Sequence, residues 1–314
     1  MTEAIGGYFE LELRQGEHYH KDALRLNTAR NCFEYILRAR KYTKVYIPYY
    51  TCEVMLEPLN KCNVAYDFYH INEQLEPVEV FHLEPSEAFL YTNYYGLKQQ
   101  CVEQLAQIYG NQLIVDNAQA FFAAPLDGID TFYSARKFFG VADGAYLYTD
   151  AHLDIELEQD QSYARMAHLL KRADIDAEAG YADFRKNDDA LCGEPIKRMS
   201  RLTEKILCSI DYDKVHSIRR HNYQLFETKL GSSNKIHFIL EEGSVPMIYP
   251  YWTNVCIREN LINKRIYTAT YWQNVLDWTN VGDIENILTQ MLIPLPININ
   301  ETEVDTIINS LSVC

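Results

Sequence analysis

Two residues twenty-one positions apart, Asp116 and Lys137, carry the most chemical information in this 314-residue sequence. The apolar run Leu113-Ile-Val ends in Asp116, and the run Ile129-Asp-Thr-Phe-Tyr-Ser-Ala-Arg leads to Lys137, followed by a glycine-containing turn and a further apolar run. An amine can attack a carbonyl and form a Schiff base, and a carboxylate can keep a pyridine nitrogen protonated so that the ring acts as an electron sink. Each residue alone is common. Their order, each at the end of a strand-like run, suits the chemistry of pyridoxal phosphate.

The elements that must position the pair follow from periodicity. Residues 22–40 predict a short strand and then a helix with Phe33, Ile36 and Leu37 on one face and Asn27 or Thr28 as its N-cap. Lys44–Pro48, Val64–Tyr69, Ala88–Asn93 and Gln112–Val115 predict strands, while residues 52–60 and Gln99–Tyr109 predict helices. This alternation implies crossover connections and a largely parallel sheet, in which ligands sit at the carboxyl ends of the strands. Residues 151–200 are charged and predict exposed helices and a loop. One long helix is expected over Leu202–Leu230. Beyond it, strands are expected at His237–Leu240, Met247–Tyr251 and Ile266–Thr270, and helices at Val255–Ile262, Ile284–Met291 and Glu301–Leu311, as a smaller α/β domain. The expected division is an N-terminal arm and large domain over 1–205 and a small domain over 206–314.

Bulk properties narrow the function. The formal charge of −15, from 29 Lys and Arg against 44 Asp and Glu, argues against nucleic acid or an anionic membrane as partner. No apolar run approaches a membrane span, and no basic segment followed by an apolar one reads as a signal peptide. The eight cysteines form no Cys-x-x-Cys pair and no zinc spacing with histidine, so reduced thiols in the cytoplasm and no metal site are expected. His18 and His20 share a face at strand spacing, but two ligands are too few for a metal, so exposed or packed histidines are expected there. The 24 tyrosines read mainly as packing, as does Trp272, with an entrance position as the alternative for the tryptophan.

Several ordered blocks resemble the DegT/StrS family of fold-type-I enzymes that use pyridoxal phosphate, mainly nucleotide-sugar aminotransferases. They are Leu26-Asn-Thr-Ala-Arg-Asn-Cys-Phe, Ile47-Pro-Tyr-Tyr-Thr-Cys, Asn93-Tyr-Tyr-Gly, Val115-Asp-Asn-Ala-Gln-Ala, Phe132-Tyr-Ser-Ala-Arg-Lys and Ile293-Pro-Leu-Pro with Thr302-Glu-Val-Asp-Thr-Ile-Ile. The resemblance implies a three-layer α/β/α large domain with a mainly parallel mixed sheet. It also implies Lys137 as the Schiff-base lysine, Asp116 as the partner of the ring nitrogen and Gln119 facing the ring. Thr28, Ala29 and Arg30 match the phosphate turn. It further implies a homodimer with a shared site, glutamate as amino donor, a nucleotide-linked keto-sugar as acceptor and a place in surface-polysaccharide synthesis.

The departures from that pattern are specific. Phe132 stands where the family has a phosphate-binding serine, leaving Thr131 or Ser134 to substitute. Cys52 stands where an aromatic would stack on the ring, leaving Tyr49 or Tyr50. Lys197 or Arg198 represents only loosely the basic residue that reaches across the dimer, and Gly144-Ala replaces Gly-Gly. Two alternatives to transamination follow. One is dehydration or elimination on the same fold, disfavoured because dehydrating members replace the lysine with histidine. The other is a non-catalytic relative that binds a sugar nucleotide.

Overall fold

The computed structural model describes residues 5–253 and 257–311. Along the chain run β1 (Leu24–Leu26), α1 (Ala29–Arg40), β2 (Lys44–Pro48), α2 (Leu56–Cys62), β3 (Ala65–Tyr69), β4 (Glu87–Thr92), α3 (Gln99–Tyr109), β5 (Leu113–Asn117), β6 (Asp130–Ser134) and β7 (Ala145–Tyr148). Then follow α4 (Ala167–Asp174), α5 (Ala177–Ala190), α6 (Arg201–Ser209), α7 (Tyr212–Leu230), β8 (Ile248–Trp252), α8 (Arg258–Asn263), α9 (Asn274–Trp278), α10 (Ile284–Met291), β9 (Leu292–Pro296) and α11 (Glu301–Leu311).

Strands one to seven form one sheet in the order β1-β7-β6-β5-β4-β2-β3. β3, β2, β4, β5 and β6 are parallel, and β7 and β1 join antiparallel at one edge. The strands are apolar on both faces, as a sheet covered on both sides requires. Successive side chains point to opposite faces, and the core divides accordingly. Leu90, Ile114, Phe132 and Leu147 belong to one apolar cluster with α1 and α2. Tyr91, Val115, Tyr133 and Tyr146 belong to a second, with α3, α7 and the C-terminal elements. This is the expected three-layer arrangement.

Helix α1 is fixed at both ends. Thr28 is its N-cap, its hydroxyl accepting from Asn31 N at 3.1 Å. Asn27, the other candidate cap, instead donates to the Pro195 carbonyl at 3.0 Å. Near the C-terminus, Arg40 makes two 2.9 Å bonds to buried Asp130 at the start of β6, the strong bidentate geometry for these groups. Between them Phe33, Ile36 and Leu37 are buried, each contributing about 1.5–3 kcal/mol. The start of α1 is thereby held over the carboxyl ends of β5 and β6.

The C-terminal segment is less sheet-like than expected. Its sheet has only β8 and β9, paired antiparallel with Pro250 opposite Pro294. His237–Leu240 and Ile266–Thr270 have strand-forming residues but no ladder partner and are irregular. The expected helix at 202–230 is two, α6 and α7, because Asp211 caps a new helix by accepting from Lys214 N at 3.1 Å. Of the helix predicted over 255–262, residues 255–256 lie outside the described residues, and α8 begins at Arg258. The segment shares its core with the large sheet, since one apolar cluster runs from Ala23 to Leu311. Buried Glu285 of α10 also accepts from Ile71 N at 2.7 Å.

His18 and His20 are packed. Their Nδ1 atoms lie 2.7 Å and 3.2 Å from the hydroxyls of Tyr146 and Tyr148, and burial lowers both pKa values to about 4. Among the described residues no helix is long and apolar enough to cross a membrane, no cluster of side chains could hold a metal, and six cysteines are free. Cys256 and Cys314 lie outside the described residues.

Candidate active site

The parallel strands end in a row. In register, Thr92 of β4 lies beside Asp116 of β5, and Asp116 beside Phe132 of β6. All three line one cavity of about 550 Å³, a size ordinary for a small-molecule site. Asp116 is two residues beyond Ile114, so strand parity puts it on the α1 side of the sheet.

Lys137 lies in the short helical turn after β6 and lines the same cavity, as do Ser134, Gln119 and the first residues of α1, Thr28, Ala29 and Arg30. The sequence-predicted pair is thus brought together. Lys137 has no ion-pair partner among the described residues. Asp116 is buried, and its carboxylate accepts from Ala118 N at 2.8 Å. Burial raises its pKa to about 6, opposed by that bond and by the charge of Lys137. Beside it, the buried hydroxyl of Thr92 is placed to donate to the same carboxylate and likewise opposes the shift. This end of the cavity therefore holds a buried carboxylate without an ion-pair partner among the described residues.

Gln119 is oriented by the backbone, its Oε1 accepting from Tyr95 N at 3.1 Å. The anion end is different. Backbone N–H groups at the start of α1 are suited to an anion. The Arg30 guanidinium, however, is already engaged: it donates to Glu57 Oε2 at 2.7 Å and to Cys192 Sγ at 3.4 Å. Glu57 in turn accepts from Gly193 N at 2.9 Å. Of the three residues matched to the phosphate turn, Arg30 thus has its Nη1 already committed to Glu57 and Cys192.

The substitutes for the family serine are separated by parity. Ser134 is two residues from Phe132 and shares its face, whereas Thr131 is on the other face and donates to the Ile129 carbonyl at 3.2 Å. Cys52, at the position of the missing aromatic, lines the cavity. Tyr50 does not: it is fully buried, with its hydroxyl 3.1 Å from that of Tyr95 and its ring edge-on to Trp272. Tyr49 stacks instead on Phe68. Trp272 packs against the main apolar core, as expected, and also lines the cavity, on a segment tied down by Asn274 Nδ2 donating to the Thr51 carbonyl at 3.0 Å. Lys197 pairs with Glu194, and Arg198 bridges Leu26 and Gln159 through its backbone. Sequence reasoning missed α5, whose Tyr181, Phe184, Arg185 and Asp188 form one wall. Its charged sequence carries no signal of a site.

No protein-family model matches this sequence, and no curated protein matches it. Solved structures do. A putative sugar aminotransferase, Spr1654 from Streptococcus pneumoniae in its apo-form, is similar with a TM-score of 0.61 at 13% identity, over 93% of this chain and 85% of that one. The NtdA structure from Bacillus subtilis, with bound cofactor PMP, gives 0.63 at 14% identity, over 93% and 72%. A DegT DnrJ EryC1 StrS aminotransferase from Brucella abortus gives 0.60 at 14% identity, over 93% and 85%. The chain has the α/β fold of these aminotransferase structures, with Asp116 and Lys137 at the carboxyl edge of its sheet.

Proposed function

We propose that this chain is a pyridoxal-phosphate-dependent aminotransferase that moves an amino group, with glutamate as donor, to a keto group of a nucleotide-linked sugar. The observation that carries this reading is the meeting of Lys137, Asp116 and the start of α1 around one cavity. The residues fit the cofactor. A protonated ring nitrogen supplies the cation that buried Asp116 lacks, and Lys137 supplies an unpaired amine. The N–H groups of Ala29 and Arg30, with the Ser134 hydroxyl, suit a phosphate.

When bound, the cofactor supplies an electron sink for the charge that develops as an α-proton leaves. The chain's residues do the rest. The Asp116 carboxylate holds the proton on the ring nitrogen. Lys137 Nζ would be the covalent anchor for the cofactor and the base that moves the proton at the donor's α-carbon. Gln119, fixed by Tyr95 N, would orient the ring, and Cys52 and Trp272, which line the cavity, would limit access of water. A homodimer, a cytoplasmic location and a role in surface-polysaccharide synthesis accompany this reading.

The test is the absorbance spectrum of purified protein supplied with pyridoxal phosphate, before and after borohydride. We expect a reducible visible band that is absent from Lys137→Ala, and 2-oxoglutarate released from glutamate by the wild type only. A Lys137→Ala variant that still transaminates would sink the reading. A second reading, a non-catalytic binder of sugar nucleotides, is favoured by Phe132 in the cavity row and by Arg30 held on Glu57. A wild type without the reducible band would move that reading ahead.

A further inference from the structure

Arg219 of α7 is only 2% exposed, and among the described residues no carboxylate pairs with it. A guanidinium without a counter-ion is costly to bury, and burial pulls its pKa down to about 10. Packing alone does not call for an arginine here, since an apolar side chain of similar volume would avoid that cost. What the guanidinium touches gives a reason. Its Nη1 donates to the Met247 carbonyl at 2.8 Å, with the Pro246 carbonyl at 3.4 Å, while its Nε has no hydrogen-bond partner. Its Cζ lies 4.6 Å from the centre of the Phe138 ring, a cation–π contact. Phe138 directly follows Lys137 and closes its turn, donating its N–H to the Ala135 carbonyl at 3.1 Å.

The carbonyl side of Arg219 leads to the other cavity residue. Met247 N donates to the Tyr95 carbonyl at 2.8 Å, and Tyr95 N donates to Gln119 Oε1 at 3.1 Å. Gly96 lets these segments approach: a Cβ there would meet the Val245 carbonyl oxygen at 2.9 Å and that of Gln119 at 3.4 Å. One buried guanidinium thus joins the support of Lys137 to the support of Gln119, from a helix that does not itself line the cavity. We propose that Arg219 is a positioning residue, which fixes the Lys137 turn and the Gln119 loop relative to each other through Phe138 and through the 246–247 segment. A planar guanidinium can lie over a ring and donate from its edge at once, whereas an ammonium on a flexible stem cannot keep both contacts. That the two supported side chains act on a cofactor rests on the aminotransferase reading; the coupling of their supports does not.

Amide hydrogen exchange of the full chain, read by mass spectrometry without cofactor, tests the coupling. In Arg219→Met, exchange over 94–97, 135–139 and 245–248 is expected to rise about tenfold or more, while α1 stays as protected as in the wild type. Arg219→Lys should fall between the two. Phe138→Leu should loosen 135–139 and leave 245–248 protected, because the Met247 bond survives. Where Arg219→Met does not fold, as its melting temperature would show, these two variants carry the same test. Unchanged exchange in all three segments, or acceleration spread evenly over the chain, would overturn the proposal. With pyridoxal phosphate and glutamate, Arg219→Met should lower kcat about tenfold or more and leave KM within about threefold. An unchanged kcat would remove Arg219 from the working of the cavity. A wild type without the borohydride-sensitive band would sink the aminotransferase reading and leave the exchange result standing. A band with no selective change in exchange would do the reverse.

Discussion

The two ends of the main cavity are built on opposite principles. At one end, Asp116 is a buried carboxylate served by the Ala118 backbone N–H and the neighbouring Thr92 hydroxyl, with no ion-pair partner among the described residues. At the other, Arg30 is a guanidinium whose Nη1 is engaged by Glu57 and Cys192, with Glu57 secured by Gly193 N. The first end is costly until something cationic arrives. The second is content without a ligand. A folded chain can therefore hold an acceptor of positive charge and a masked acceptor of negative charge in one cavity, and the two should respond differently to mutation.

The largest effect is expected at the costly end. Asp116 has its pKa raised from the ordinary 3.8 to about 6, so its stabilising neutral form is complete below pH 3.8 and is lost as pH rises through about 6. Asp116→Asn keeps an oxygen for Ala118 N and removes the charge. Without cofactor, the variant should be more stable than the wild type by about 3 kcal/mol at pH 8, and the difference should fall to about 0.5 kcal/mol by pH 4. Urea denaturation at both pH values measures this, and equal stabilities at pH 8 would show that Asp116 is not strained. On the proposed reading, the same variant should lose nearly all aminotransferase activity, the opposite direction from its stability. His18 and His20 titrate in the other sense, their contribution being complete above pH 6.5 and lost as pH falls toward 4. They are common to both proteins and cancel in the comparison.

The masked end should be weaker to probe and opposite in sign. Glu57→Gln leaves a largely buried guanidinium without its charge partner and should cost about 1–3 kcal/mol. It also frees Arg30 for an external anion, so inorganic phosphate should raise the melting temperature of the variant more than that of the wild type. Equal shifts would mean that Glu57 does not compete with a phosphate. The smallest effect is expected at Thr28. Thr28→Ala removes the α1 cap, should cost about 1 kcal/mol, and should loosen the N–H groups that face the cavity. A Thr28→Ser variant should restore both, and failure to do so would place the role of Thr28 outside capping.

Much of the costly end was legible in the sequence, and little of the masked end. Asp116 and Lys137 could be read because each ends an apolar run, and a run's end is where a parallel sheet presents its residues. Glu57 could not be paired with Arg30, because the two lie on different helices and only the packing of α1 against α2 joins them. Parity would have separated Ser134 from Thr131 once β6 was recognised as a strand. The division between α6 and α7 was hidden because apolar residues continue through Ile210, while the capping aspartate follows it. Strand β9 was hidden by its two prolines, which normally argue against a strand. It persists as one side of a two-stranded sheet, where Pro294 meets Pro250 at a single rung. The irregular 237–240 and 266–270 segments show the converse, since β-forming residues without a neighbouring strand make no ladder.

The row Thr92, Asp116, Phe132 has a consequence for how this chain can change. These residues are neighbours because three strands are in step, not because they touch in sequence. An insertion in the connection between β4 and α3 leaves the count along β5 intact, and the acid stays where it is. Loss of a single residue between Leu113 and Asp116 would turn the carboxylate from the α1 side of the sheet to the side of Tyr91 and Val115, with every backbone hydrogen bond still available. The chemistry of this cavity is therefore tolerant of length in its loops and intolerant of an odd step in its strands.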